Sequence, residues 1–289
     1  MSISSQAEKR AAAVGREQRP VATAGRRPSM FTIGGSIRTS RYVLLGMLTF
    51  AALLLAWWAM TASGAVQPLF LPSPGAVVTR LSDALSSGQL WADTRVSAYR
   101  IIVGFAIATL LALPIGVAVG CYPAAAGLLE PLIDFVRYMP VVAFVPLSIV
   151  WVGTADSQKF LIIFLGTFFQ QVLLFADNIK RVPAEFVSIS RTLGLKDRKI
   201  LMRVVVPAAA PALWDSGRIT LGWAWTWLVV AELVAATSGL GYRITTAQRY
   251  FQTDTIIGYI LVLGILGLIT DQTMRFIGRV AFHYLEVRK

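Results

Sequence analysis

An all-α integral membrane protein with about six transmembrane helices is the fold class this sequence predicts, and three observations predict it. Of the 289 residues, 56% are hydrophobic and 15% charged, with a mean hydropathy of +0.64, whereas a soluble domain carries about 25% charged residues. Apolar runs recur at a length that suits a bilayer, where about 20 residues rising about 1.5 Å each cross a hydrocarbon core of about 30 Å. The basic residues behind the net charge of +12 fall in segments flanking those runs. That arrangement fits a membrane with an anionic cytoplasmic face better than a nucleic-acid partner. One cysteine, Cys121, excludes an internal disulfide, and one histidine, His283, argues against a histidine-based metal site. No cofactor or metal is expected in this chain.

Residues 1–40 carry Lys9, Arg10, Arg16, Arg19, Arg26, Arg27 and Arg38 against Glu8 and Glu17, and read as a disordered basic tail held in the cytoplasm. The basic stretch is too long for a signal peptide, so the run that follows is a span, over about 42–61, with Trp57 and Trp58 near its far interface. Residues 67–93 are polar and Pro-rich (Leu71-Pro72-Ser73-Pro74), then amphipathic over 77–85, which predicts a helix along the outer surface. The second span covers about 100–120 and holds the GxxxG of Gly116 and Gly120, which permits close helix packing. A short link, Tyr122-Pro123, leads to the third.

Glu130, Asp134 and Arg137 open the third span at three- and four-residue steps, so they share a face and can pair. Pro140 and Pro146 then break the ladder at membrane depth, where irregular backbone is tolerated only against protein or a water-filled cavity. A discontinuous span of this kind is a candidate pathway. The fourth span, about 160–175, contains Gln170 and Gln171, at least one of which must face protein or a cavity. The fifth, about 213–236, holds Asp215 and Arg218, three apart, and Glu232, with no basic residue within four positions of it. A charge at the bilayer centre costs about 2.5–3.5 kcal/mol. Glu232 therefore needs the interface, a partner on another span, or water, and both an ion pair and a gating role satisfy that demand. Trp225, seven residues earlier, shares its face. A Gly-rich turn at 237–242 precedes the sixth span, about 256–276, with Asp271 and Arg275 four apart.

Between the fourth and fifth spans lies the long basic interruption 183–207. Pro183 suits the first position of a helix and Gly194 the left-handed residue after its end. A second helix from about Lys196 should run until Pro207 breaks or kinks it. With six spans, this loop and both termini fall on one side, together with the N-terminal arginines, Arg279, Arg288 and Lys289. The other side holds mainly Arg80, Lys159, Arg243 and Arg249, so the positive-inside rule places the loop and both termini in the cytoplasm.

From Gly194, nine residues lead to Val204-Val205-Val206-Pro207. This resembles the cytoplasmic EAA loop of ABC-importer permeases, whose pattern is Glu-Ala-Ala, three residues, Gly, nine residues, then Ile-x-Leu-Pro. The Glu-Ala-Ala positions hold Ser188, Ile189 and Ser190. Leu71 to Pro74, Arg100 to Phe105, Arg137 to Leu147 with Trp151 and Gly153, Ser190 to Gly194, and Val230 to Tyr242 extend the resemblance to the nitrate/sulfonate/taurine/bicarbonate branch over about 45–280.

The resemblance implies a type I ABC-importer permease fold with a cytoplasmic coupling helix, as a domain over 41–289 in a bacterial inner membrane. It implies a second permease copy, two cytoplasmic ATPase subunits and an extracytoplasmic substrate-binding protein as partners. Coupling to the ATPase would involve Ser188, Ser190, Arg191, Thr192, Leu193, Gly194 and Leu195. ATP and Mg belong to that partner, since this chain lacks GxxxxGK[ST] and is not expected to be an enzyme. The solute it implies is an oxyanion such as nitrate, sulfonate, taurine or bicarbonate; a thiamine precursor, riboflavin or an aromatic acid are the alternatives. Candidates for the translocation path are Arg137, Tyr138, Met139, Pro140, Gln170, Trp225 and Glu232. A secondary transporter using Glu232 as an ion relay is the rival class; a membrane enzyme lacks paired carboxylates with a histidine or metal set.

Overall fold

The computed structural model describes residues 39–283, so the basic tail before Thr39, and Arg288 and Lys289, lie outside the described residues. The elements are α1 (Thr39–Ala62), α2 (Pro74–Ser86), α3 (Gln89–Cys121), α4 (Pro123–Arg137), a 3-10 turn (Val141–Ala143), α5 (Phe144–Val152), α6 (Asp156–Lys180), α7 (Ala184–Thr192), α8 (Asp197–Ile200), a π turn (Leu201–Val205), α9 (Val206–Ala235), α10 (Leu240–Arg249) and α11 (Thr253–Ala281). No strand occurs among the described residues. Four helices are long and apolar enough to cross a membrane, and six spans result if each of two bent pairs counts as one. Those pairs are α4 with the 141–152 segment, bent by 75°, and 197–235 with α10, bent by 48°.

The chain divides within α1, between Ala56 and Trp57, into two units. The second unit carries everything that follows. Its α2 covers the stretch the sequence reads as amphipathic, 77–85, and begins three residues earlier: Ser73 Oγ accepts from Ala76 N at 3.2 Å and Pro74 takes the first turn.

α3 starts eleven residues before the predicted span, because Asp93, Ser97 and Arg100 are not outside the bundle but buried along one face of the helix. Farther along, Gly104, Ala108, Ala112, Gly116 and Gly120 recur every four residues and lie against α6. A Cβ at Gly104 would stand 2.9 Å from Ile163 Cβ, one at Gly116 2.7 Å from Phe175 Cβ, and one at Gly120 2.6 Å from Ile179 Cβ. Close approach of the two backbones thus replaces the hydrophobic drive that lipid cannot supply between helices. Gln171 sits in the same interface, donating to Thr109 Oγ1 at 3.1 Å and Thr220 Oγ1 at 2.9 Å.

In the third span only Pro140 marks the break. Pro146 falls in the first turn of α5, where a missing N–H leaves nothing unpaired. The acidic residues predicted to share one face divide their partners: Asp134 pairs with Arg137 at 2.9 Å and Glu130 with Lys180 at 2.5 Å. Of the two outcomes expected at Pro207, a break or a kink, the structure excludes the break. The π turn just before it is wound wide, with Val206 N–H reaching Leu201 O, and the pyrrolidine ring is accommodated in the first turn of α9. The segment from Asp197 to Ala235 is therefore one continuous helical rod.

Candidate functional site

Where α4 stops at Arg137, residues 138–140 stand away from α6 and α9 and leave a cavity of about 580 Å³. The broken span supplies Arg137, Tyr138, Met139, Pro140 and Phe144; α6 supplies Gly166, Phe169 and Gln170; α9 supplies Trp223, Thr226 and Trp227. Five of the seven path candidates therefore meet here: Arg137, Tyr138, Met139, Pro140 and Gln170. Trp225 points to the opposite face of α9 and donates from Nε1 to Thr270 Oγ1 on α11 at 3.1 Å. Glu232 lies in a separate cluster. The residues sequence reasoning missed, Trp223, Thr226 and Trp227, share one face at i, i+3 and i+4. That spacing was visible in the chain, but it does not say which tryptophan face meets the break.

Arg137 is the cation of the cavity wall. Its Nε contacts Asp134 Oδ1 at 2.9 Å, its Nη2 donates to Tyr138 Oη at 3.0 Å, and its guanidinium lies 4.6 Å from the Tyr138 ring centre. The pair with Asp134 makes the local charge nearly zero while leaving further N–H donors on the guanidinium.

Glu232 is 1% exposed, and its partner is on another span. The carboxylate accepts from Arg100 Nη1 at 2.7 Å, Ser97 Oγ at 2.9 Å and Gly241 N at 2.8 Å. Arg100 also donates to Asp156 Oδ1 at 2.7 Å and Ser238 O at 2.6 Å. Asp93 accepts from Gly239 N at 3.3 Å, Arg243 Nε at 3.0 Å and Tyr259 Oη at 3.3 Å. Lys159 Nζ donates to Thr154 O at 2.5 Å and Ala235 O at 2.7 Å. Two buried carboxylates, Asp93 and Glu232, and two buried cations, Arg100 and Lys159, thus balance in charge, with the partly exposed Asp156 and Arg243 at the edge of the cluster. The two buried carboxylates also take the free N–H groups where α10 begins, a remote form of helix capping. The need of Glu232 for a partner was legible; Arg100 as that partner was not, because it lies 132 residues away in sequence.

The loop presents the opposite character. Gly194 has φ +76°, and the bonds Gly194 N to Arg191 O at 2.9 Å and Leu195 N to Ser190 O at 3.1 Å form a Schellman end. The hydroxyls of Ser188, Ser190 and Thr192 donate back to the carbonyls of Ala184, Phe186 and Ser188. Polar groups of α7 are thereby satisfied within the helix. Its outward surface is Phe186, Ile189, Leu193 and Arg191, the last 3.5 Å from exposed Asp197, while Leu195 packs inward against the core.

Comparison with known proteins agrees with this architecture. Residues 112–280 match the family described as "Binding-protein-dependent transport system inner membrane component". A probable ABC transporter permease of Brucella melitensis is 40% identical over 231 residues, covering 80% of this chain and 93% of the relative. The taurine transport system permease TauC of Escherichia coli is 32% identical over 245 residues, covering 83% and 89%. In fold, the chain resembles an inward-facing MetNI methionine ABC transporter, with a TM-score of 0.55 at 20% identity over 64% of this chain and 92% of that one. A chain with this bundle, this broken span and these relatives is a multi-pass ABC-importer permease subunit, and it belongs to the binding-protein-dependent transport system inner membrane component family.

Proposed function

We propose that the chain forms half of the membrane path of an ATP-driven importer, that its 183–207 loop is cytoplasmic, and that this loop passes the motion of a separate ATPase to the path. The observation that carries the reading is the unbroken helical rod from Asp197 to Ala235. One of its ends is the exposed helix–Gly194–helix unit. Its middle, through Trp223, Thr226 and Trp227, walls the cavity at the broken span. A push on the loop is therefore passed to a cavity wall along one continuous helix, with the π turn before Pro207 and Pro211 as its points of flexure. A second, identical copy is proposed to complete the path, and an extracytoplasmic binding protein to deliver the solute. A small oxyanion is the solute class this branch favours, and the relationship to a taurine permease supports it.

The rival reading, an ion relay through Glu232, is disfavoured by the three donors that occupy its carboxylate. Gly194→Asp tests the coupling. A side chain at φ +76° is strained by about 1 kcal/mol or more. The variant should insert normally yet lose solute-stimulated ATP hydrolysis in the reconstituted complex. Wild-type stimulation in that variant would show that the loop is not the coupler.

A further inference from the structure

The cavity at the broken span is built for more than an inorganic ion. Its volume of about 580 Å³ falls within the range of about 300–1,000 Å³ that encloses organic ligands. Five aromatic rings line it, those of Tyr138, Phe144, Phe169, Trp223 and Trp227; behind this wall Phe169 is held edge-on by Phe168 at 5.0 Å between ring centres, and Phe168 is in turn stacked on Phe164 at 4.7 Å. Three residues before Phe169 on α6, the Trp227 indole of α9 lies directly on the backbone at Gly166, where any Cβ would collide with the ring. Gly166 is thus what allows a flat aromatic wall to stand clear of the opening. The polar side-chain groups of its lining residues are the Arg137 guanidinium, the Tyr138 hydroxyl, the Gln170 amide, the Thr226 hydroxyl and the indole N–H groups of Trp223 and Trp227.

We infer that this cavity selects organic anions with a flat apolar body over inorganic oxyanions, with Arg137 and Gln170 receiving the acidic head group and Phe144, Phe169, Trp223 and Trp227 flanking the body. The inference rests on reading the cavity as part of the translocation path. Nitrate or bicarbonate would leave most of this apolar wall unused, whereas an arene gains burial and ring contacts along it. The neutralised guanidinium also suits transit. Asp134 at 2.9 Å tempers the pull of Arg137, so an anion is attracted by hydrogen bonds without being trapped by a bare charge. A conduction site must release what it binds.

The full-length chain in lipid nanodiscs can be titrated by calorimetry with nitrate, ethanesulfonate and naphthalene-2-sulfonate, with empty nanodiscs subtracted. Naphthalene-2-sulfonate should bind at least tenfold more tightly than ethanesulfonate, and nitrate more weakly than both. Arg137→Gln should weaken naphthalene-2-sulfonate about tenfold while leaving the neutral naphthalene-2-sulfonamide within twofold. Gly166→Ala should push Trp227 into the opening and weaken naphthalene-2-sulfonate about tenfold, with less than threefold effect on ethanesulfonate. Should that variant not accumulate, Trp227→Ala removes the same wall and should produce the same selective loss. Equal affinity for the three anions, or affinities indifferent to these substitutions, would overturn the inference. Its failure is separable from failure of the transport reading: solute-stimulated ATP hydrolysis depends on Gly194, whereas these affinities do not.

Discussion

The two ends of the 197–235 rod are held in contrasting ways. At the Ala235 end, Glu232, Arg100, Asp93, Arg243, Asp156 and Lys159 interlock four helices, α3, α6, α9 and α10, and Glu232 and Lys159 are each 1% exposed. At the loop end, Arg191 and Asp197 are 65% and 74% exposed in their side chains, and their contact is 3.5 Å. The first arrangement fixes geometry, since removing any partner strands a buried charge. The second contributes little to stability, because exposed ion pairs are worth about 0–1 kcal/mol. A rod that couples in the way proposed needs one anchored end and one end free to be moved, and this distribution of charge is what that proposal requires. The same contrast explains the charge asymmetry of the sequence. Basic residues occur at both ends, but Arg80, Arg100 and Arg243 at the anchored end are matched by acids, while Lys196, Arg198, Lys199 and Arg203 face a single nearby acid, Asp197, in their segment.

The largest effect should come from breaking the anchor. Glu232→Ala leaves Arg100 with the partly exposed Asp156 as its one carboxylate, beside Ser238 O, and frees the Gly241 N–H, and should destabilise the bundle by about 3–5 kcal/mol. The readout is thermal unfolding of the purified chain, or its abundance in the membrane. The pair Arg100→Met with Glu232→Leu should be less damaging than the sum of the two single changes, because no unpaired charge then remains. Strict additivity would mean the two residues do not form one unit, and the anchored end would lose its physical basis.

A smaller loss is expected at the edge of the same cluster. Asp93→Asn keeps a carbonyl for the Gly239 N–H but removes the negative charge beside Arg243, whose side chain remains 26% exposed. Solvation softens the loss to about 1–2 kcal/mol. A drop as large as that of Glu232→Ala would show that the network is cooperative throughout, rather than centred on Arg100.

How much of this was legible in the sequence follows from the range of the interactions involved. The spans and the left-handed Gly194 depend on a few neighbouring residues, and hydropathy and turn chemistry reveal them. The start of α3 was misread because Asp93, Ser97 and Arg100 look polar in a linear window, although a helix turns all three to one buried face. Whether Pro207 breaks or kinks the helix stays open in the sequence, because the wide π turn that absorbs it has no sequence signature. In the cavity, the broken span announced Arg137 to Pro140, but only packing decides that α9 offers Trp223 and Trp227 to it and keeps Trp225 for α11. Arg100 and Glu232 meet across 132 residues, a distance that no local pattern bridges.

The smallest effect on stability should accompany a large effect on assembly. Phe186, Ile189 and Leu193 are 47%, 58% and 74% exposed on α7, at spacings that place them along one side of the helix. Since they bury little within this chain, Leu193→Ser with Ile189→Ser should change unfolding by no more than about 0.5 kcal/mol each. If α7 docks on an ATPase, the same residues are its apolar anchors, and burial of a leucine-sized side chain is worth about 1.5–3 kcal/mol. The double variant should then insert and unfold like the parent yet retain at least tenfold less ATPase on copurification. Loss of stability without loss of the partner would reverse the contrast between the two ends, and would make the loop part of the anchor rather than the handle.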